Sequence, residues 1–178
     1  IHMFDVDLAE TEKYRESEGY RPGTRAVVAD AGFAKIGMAI CYDVQFPEVI
    51  RMLSGSGLEV LFVPSLTDER GVSRVSYCAH ARAIENQAYV CVSPLVGELG
   101  IPADRPIHGA GEPLVAAPID NNFTSVDGVY AQSSRRRGEL LLAELDIGLI
   151  RRTRIKSEIR QLSDRRADLY ATLRPEIG

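Results

Sequence analysis

Cys41 is the residue whose type and surroundings point most directly to chemistry. It follows the apolar stretch Lys35–Ile40 and precedes a helix that is predicted to begin at Pro47. A thiolate is a strong nucleophile, and the positive end of a nearby helix favours it over the neutral thiol. The backbone N–H of Tyr42 is expected in the same space, where it could stabilise an oxyanion. The position alone fits a small buried hydrophobic residue equally well, because a free cysteine often has that role.

The remaining cysteines and the histidines offer weaker alternatives. Cys78 and Cys91 fall on a predicted helix and in a predicted strand, where core thiols are expected. His80 shares the helix with Cys78 and would suggest a Cys–His hydrolase, but no residue is placed to orient its ring. His2 and His108 lack the spacing, to each other or to the cysteines, that is typical of zinc ligands. No metal site is therefore predicted.

The elements that must position Cys41 are short strands and helices in alternation. Apolar runs of strand length occur at Ala26–Ala29, Lys35–Ile40, Leu58–Val63, Tyr89–Ser93, Leu114–Pro118, Val129–Gln132 and Leu140–Leu145. Helices are predicted at Pro47–Leu53, at roughly Val72–Asn86 and at Ile147–Leu162. Residues 5–25 and Gly97–Pro113 are predicted to be loops. The order strand, helix, strand around Pro47 is a βαβ unit, so the predicted class is α/β with a mixed sheet and helices on at least one face.

The end of the strand that follows this helix is part of the predicted site, because ligands bind outside the carboxyl ends of strands in α/β proteins. Ser65, Leu66 and Thr67 lie there and are expected to line the substrate pocket beside Cys41. Arg82 and Glu85 are three residues apart on a predicted helix, where they can face one another. We predict that this pair supports the architecture of the site and takes no part in the reaction.

The composition excludes several classes of protein. A chain of 178 residues with 45% hydrophobic and 26% charged residues fits one soluble domain with a substantial core. The net charge of -4 argues against a general nucleic-acid binder. The stretch Arg151–Arg166 is basic but has no interleaved aromatic residue on which bases could stack, so it is expected to be a solvated face or a dimer contact. No apolar run approaches the roughly 18 residues of a membrane span. Three cysteines, an odd number, indicate reduced thiols and a cytoplasmic protein.

Five stretches resemble, in the same order, the motifs of the nitrilase or carbon–nitrogen hydrolase superfamily. They are Ile1–Asp5, Tyr14–Ser17 followed by Pro22 and Gly23, Gly37–Glu48 around Cys41, Ala81–Gln87, and Asp164–Tyr170. The region Pro118–Tyr130 most resembles a branch of amidohydrolases that occur alone or fused to acetyltransferase domains. The resemblance therefore extends over nearly the whole chain.

The resemblance implies a four-layer α-β-β-α sandwich and a catalytic set of cysteine, lysine and glutamate, supported by a second glutamate. On the matching positions, Cys41 is the nucleophile and Glu16 is the second glutamate. Glu16 also fits a plain surface acid, since residues 1–20 hold six acidic and two basic residues. The catalytic lysine is expected immediately before Ile1 and the general-base glutamate further upstream. Residues 1–178 are thus expected to be the C-terminal part of a single domain.

The implied activity is hydrolysis of a small-molecule amide through a thioester on the cysteine, with release of ammonia or an amine. The chemistry requires a soft nucleophile, a carboxylate that shuttles protons and a cation where charge develops. No cofactor is expected. The expected partners are the amide substrate and further copies of the chain in a homodimer or larger oligomer, with neither nucleic acid nor membrane. The alternative is a catalytically dead or incomplete member of the family that dimerises or binds a ligand.

Overall fold

One mixed sheet organises the chain in the computed structural model. The structure describes residues 1–3, 5–8, 12–99, 107–133 and 138–170, with side chains described for 1–3, 17–98, 108–133 and 138–170. The strands are β1 (Asp5–Leu8), β2 (Glu12–Arg15), β3 (Val28–Asp30), β4 (Lys35–Met38), β5 (Val60–Ser65), β6 (Tyr89–Pro94), β7 (Gly97–Leu99), β8 (Ile107–Gly109), β9 (Leu114–Ala116) and β10 (Val129–Gln132). The helices are α1 (Pro47–Gly55), α2 (Glu69–Asn86), α3 (Ile147–Lys156) and α4 (Ala167–Tyr170).

The main sheet has six strands in the order β10-β9-β6-β5-β4-β3. Strands β4, β5 and β6 are parallel, whereas β3, β9 and β10 pair antiparallel with their neighbours. This arrangement confirms the predicted α/β class and the βαβ unit, and β3 and β4 form an antiparallel hairpin. The carboxyl ends of the three parallel strands therefore meet at one edge of the sheet, where a ligand site is expected.

Helices α1 and α2 cover one face of this sheet. Helix α1 begins with Pro47, whose fixed φ suits a first helical position, and buries Ile50 and Leu53. Helix α2 begins three residues before the predicted Val72, because the Asp68 carboxylate caps it by accepting the Gly71 N–H at 2.8 Å. The side chains of both helices join the buried strand residues in a single apolar core. That core fixes the distance between α2 and the residues that follow β4.

Among the described residues, the opposite face of the sheet is covered at one end only. Near the amino ends of the parallel strands, Val60 and Tyr89 pack with Ile150 of α3 and are buried. One pleat further along, Met38 and Phe62 are paired in register and are 60% and 41% exposed. An apolar strip therefore remains open at the carboxyl ends of the strands. No helix in the described part of the chain combines the length and apolarity needed to cross a membrane.

Two predicted loops contain hairpins that the sequence pattern did not indicate. Residues 5–25 include β1 and β2, which pair antiparallel with each other. Gly97–Pro113 includes β7 and β8, which also pair with each other. In both cases the strands lie outside the main sheet and are only three or four residues long, which is too short for a periodic pattern to mark them.

Two predictions near the C-terminus are wrong. The segment 140–145 contains no strand, and its Leu140 and Leu142 are 80% and 79% exposed. Apolar spacing alone does not form a strand, because the backbone also needs a neighbouring strand to bond. Helix α3 ends at Lys156, before the predicted Leu162, because Ser157 is extended and its hydroxyl bonds to Asp120 at 2.6 Å.

Candidate active site

Cys41 opens a 3₁₀ turn, Cys41–Gln45, directly after the exposed residue Ile40. Its φ is +45°, in the left-handed region that side chains rarely adopt. The Asp43 N–H closes the turn by donating to the Ile40 carbonyl at 2.9 Å. Among the described residues, Gln87 is the only other non-glycine residue with positive φ. Such a conformation costs about 1–3 kcal/mol and persists only where the surroundings hold it, which is typical of functional sites.

Leu66 is the predicted site residue that the structure brings to Cys41. The Cys41 thiol lies 3.5 Å from the Leu66 carbonyl oxygen, which can accept its proton in a hydrogen bond. The carbonyl follows β5, so this contact joins the carboxyl ends of two parallel strands. A Cβ on Gly109 would stand 2.3 Å from the Leu95 carbonyl oxygen and 3.1 Å from the Leu66 side chain. Glycine is needed there for β8 to approach this edge of the sheet.

Ser65 and Thr67 lie at a cavity beside α2. Ser65 is buried, and the two residues line a cavity of about 40 Å³ whose described walls do not include Cys41. That they line the substrate pocket beside Cys41 stays a prediction.

The other two predicted site residues are described in part. The ring of Tyr42 packs edge-on against Phe46, with 4.9 Å between ring centroids, and its backbone directly follows the cysteine. Glu16 begins a 3₁₀ turn, Glu16–Glu18, and its side chain lies outside the described residues. The structure therefore gives Glu16 a place in the chain after β2, and its catalytic role stays a prediction.

Asp43 anchors the N-terminal residues to the turn that carries the cysteine. Its carboxylate, 8% exposed, accepts the His2 N–H at 2.8 Å and the Ile40 N–H at 3.3 Å. The Ile1 backbone nitrogen lies 3.1 Å from one oxygen and the His2 ring Nδ1 lies 3.0 Å from the other. Burial by itself would raise the pKa of Asp43, but hydrogen bonds, led by the one from the His2 backbone N–H, outweigh it and hold the pKa below its usual value.

Arg82 holds the same turn from α2. Its guanidinium is buried, and its Nε donates to the Val44 carbonyl at 3.0 Å, while another nitrogen pairs with the Glu85 carboxylate. Asn86 bonds to the same carboxylate and to the Arg82 carbonyl. These contacts confirm that Arg82 and Glu85 support the architecture of the site, as their spacing predicts.

Sequence reasoning missed the link between His2 and Asp43. The two residues are 41 positions apart, and no spacing pattern connects them. The motif Gly37–Glu48 contains Asp43 but does not indicate its partners. Only the fold shows that a residue before β1 meets the turn after β4.

The alternative candidates lie in other surroundings. Cys78 and Cys91 are partly buried free thiols, and burial raises the pKa of Cys91 to about 11. The buried Nδ1 of His80 has no hydrogen-bond partner among the described residues, so nothing there orients its ring for catalysis. Within the same residues, no three His, Cys, Asp or Glu side chains converge as metal ligands would.

Comparison with known proteins decides the family. The family model described as carbon-nitrogen hydrolase matches residues 1–155. This chain belongs to the carbon–nitrogen hydrolase family. The resemblance to the nitrilase superfamily seen in the motifs is thereby confirmed. The match begins at the first residue, so His2 and its neighbours are part of the family pattern.

Three similar proteins show the degree of sequence and structural similarity. The probable hydrolase YhcX of Bacillus subtilis is 35% identical over 161 residues, 90% of this chain and 31% of its own length. Deaminated glutathione amidase of Yersinia enterocolitica is 40% identical over 102 residues, 56% of this chain and 36% of its own length. The crystal structure of the C. elegans NitFhit protein superposes with a TM-score of 0.76 and 31% identity, covering 96% of this chain and 38% of that one. The chain thus spans about a third of the length of these relatives.

Proposed function

We propose that Cys41 is the nucleophile of a hydrolase that cleaves a non-peptide carbon–nitrogen bond, the amide of a small molecule. The observation that supports this most is the left-handed turn, which presents the Cys41 thiol at the carboxyl edge of the parallel strands beside Leu66. A residue that only fills the core has no need of a strained backbone. The family supports the reaction class, and amidase relatives such as deaminated glutathione amidase favour amides over nitriles.

In the proposed reaction the Cys41 thiolate attacks the amide carbon and forms a C–S bond, and the carbonyl oxygen takes up the negative charge. The Tyr42 N–H is proposed to donate to that oxygen. The C–N bond then breaks, and the nitrogen leaves as ammonia or an amine after it takes a proton from a carboxylic acid. Water, deprotonated by the resulting carboxylate, attacks the thioester carbon; the C–S bond breaks and an acid is released.

The other members of the proposed catalytic set, a lysine and two glutamates, extend the proposal to the whole protein. We assign residues 1–178 to the C-terminal part of one domain, with the lysine directly before Ile1, the general-base glutamate upstream, and Glu16 as its supporting carboxylate. The open strip at Met38 and Phe62 supports this, because the preceding part of the domain would cover it. We further propose a cytoplasmic, homo-oligomeric enzyme with reduced thiols.

The test is turnover of a panel of small amides by the protein that includes the preceding part of the domain. Incubation with substrate followed by rapid acid quench and peptide mass spectrometry should find the acyl group on Cys41. C41A should lose activity by at least about a thousandfold, the scale of removing a nucleophile. C78A is the matched control, since Cys78 is also a partly buried free thiol, and should retain it.

The outcomes separate this proposal from the alternative. Unchanged turnover in C41A would show that another residue carries the reaction. No turnover of any amide, together with alkylation of Cys41 by iodoacetamide no faster than that of Cys78, would favour the catalytically dead or ligand-binding alternative. The 178-residue chain tested alone should be nearly inactive, and robust activity would refute the assignment of the lysine and the general base to the preceding part.

A further inference from the structure

The Asp43 carboxylate joins two segments that meet only in the folded chain. One is the Cys41–Gln45 turn, to which Asp43 belongs and which it also reaches through the Ile40 N–H. The other is the stretch before β1, from which the backbone N–H and the ring of His2 supply two donors to the same carboxylate. A carboxylate that only capped its own turn would need only the Ile40 contact.

We propose that Asp43 is a positioning residue that holds the chain at Ile1 and His2 in register with the Cys41 nucleophile. The inference rests on the proposed function, which expects the catalytic cation directly before Ile1. A group two residues from the anchored His2 N–H has little freedom relative to Asp43. Asp43 would thereby set the distance between the cysteine and the cation that stabilises the tetrahedral intermediate.

The contacts of His2 with Phe46 and Asp43 fix its position relative to the turn. Its ring stacks on Phe46, the residue that ends the turn, with 3.5 Å between centroids and an interplanar angle of 7°. The backbone and the ring of His2 both face one oxygen of Asp43, and the Ile40 N–H faces the other. Both oxygens of a mostly buried carboxylate are thus used, which fixes the orientation as well as the distance.

The proposed mechanism needs a precise distance between the cation and Cys41, because the rate depends steeply on where a catalytic charge lies. A shift of about 1 Å in a catalytic group can lower the rate about a hundredfold. Binding of a neutral amide depends on the pocket and much less on that charge. The loss of Asp43 should therefore appear in kcat, with KM little changed.

The decisive variants are D43N and H2F, made in the protein that includes the preceding part of the domain. D43N keeps the size of the side chain but turns an NH₂ group toward N–H donors. H2F keeps the stack on Phe46 and the backbone N–H to Asp43 but removes the Nδ1 contact. The control is D146A, which removes a carboxylate that caps α3 and pairs with Arg152 on the face remote from the cysteine.

We expect D43N to lower kcat about a hundredfold with KM changed less than about threefold, the scale of a 1 Å misplacement. H2F should lower kcat less, and D146A should lower the melting temperature with kcat unchanged. The rate of Cys41 acylation by the amide in a single turnover should fall more than its alkylation rate with iodoacetamide, because alkylation needs no oxyanion stabilisation. A merely structural role would lower both rates together, in proportion to the folded fraction.

Wild-type kcat in D43N, or equal losses of acylation and alkylation, would overturn the positioning role while leaving the proposed function intact. An inert wild-type protein whose Cys41 forms no acyl adduct would instead overturn the proposed function and this inference with it.

Discussion

The left-handed backbone of Cys41 makes a prediction about stability that is independent of substrate. At φ +45° a side chain with a Cβ costs about 1–2 kcal/mol relative to the right-handed region, and glycine avoids that cost. Glycine also loses more conformational freedom on folding, by about 0.5–1 kcal/mol relative to alanine. The difference leaves C41G more stable than C41A by about 0.5–1 kcal/mol. Both variants lack the thiol, so its contact with Leu66 cancels in the comparison.

Cys78 provides the matched control because it is a partly buried free cysteine in the interior of the right-handed helix α2. There C78G should be less stable than C78A by about 1 kcal/mol, the cost of glycine inside a helix. The sign of the glycine-to-alanine difference should therefore reverse between the two sites.

Thermal and urea unfolding of the four variants measure these differences. For a chain of this size, 1 kcal/mol corresponds to about 2–4 °C in melting temperature. We expect C41G to melt about 2 °C above C41A, and C78G to melt about 3 °C below C78A. If C41G is less stable than C41A by as much as C78G is less stable than C78A, the turn is not left-handed at the cysteine and the argument from backbone strain fails.

Two further predictions concern buried charges. R82M should lower the free energy of unfolding by about 1–3 kcal/mol, because the Val44 carbonyl loses its buried donor. The control R74M, on the exposed side of the same helix, should have a free energy of unfolding within about 0.5 kcal/mol of wild type. Urea unfolding of both variants measures these changes. The hydrogen bond from Arg151 outweighs burial and holds the pKa of Glu59 below its usual value. The pair therefore stabilises the fold at a pH above the pKa of Glu59 in the unfolded chain. This stabilisation is lost as the pH falls through the lower pKa of Glu59 in the folded chain. The difference in melting temperature between wild type and E59Q should be largest near neutral pH and shrink below about pH 4; a constant difference from pH 3 to 7 would contradict the assignment.

Much of the fold follows from local pattern. The parallel unit β4-α1-β5 could be predicted because Pro47 marks a helix start and the flanking apolar runs are too short for helices. The strand at 140–145 was predicted wrongly on the same kind of pattern, since its leucines find no partner strand. The hairpins β1-β2 and β7-β8 escaped prediction because their strands are only three or four residues long.

The candidate site divides in the same way. The sequence by itself determined that Cys41 stands at the end of a strand, before a helix, inside a motif of the carbon–nitrogen hydrolases, because those features lie within a dozen consecutive residues. Only the tertiary structure decided that the Leu66 carbonyl meets the Cys41 thiol, and that Asp43 binds His2, 41 positions away. Such contacts depend on which strand ends lie side by side and on where each group points, and neither can be predicted from the spacing of residues in the sequence.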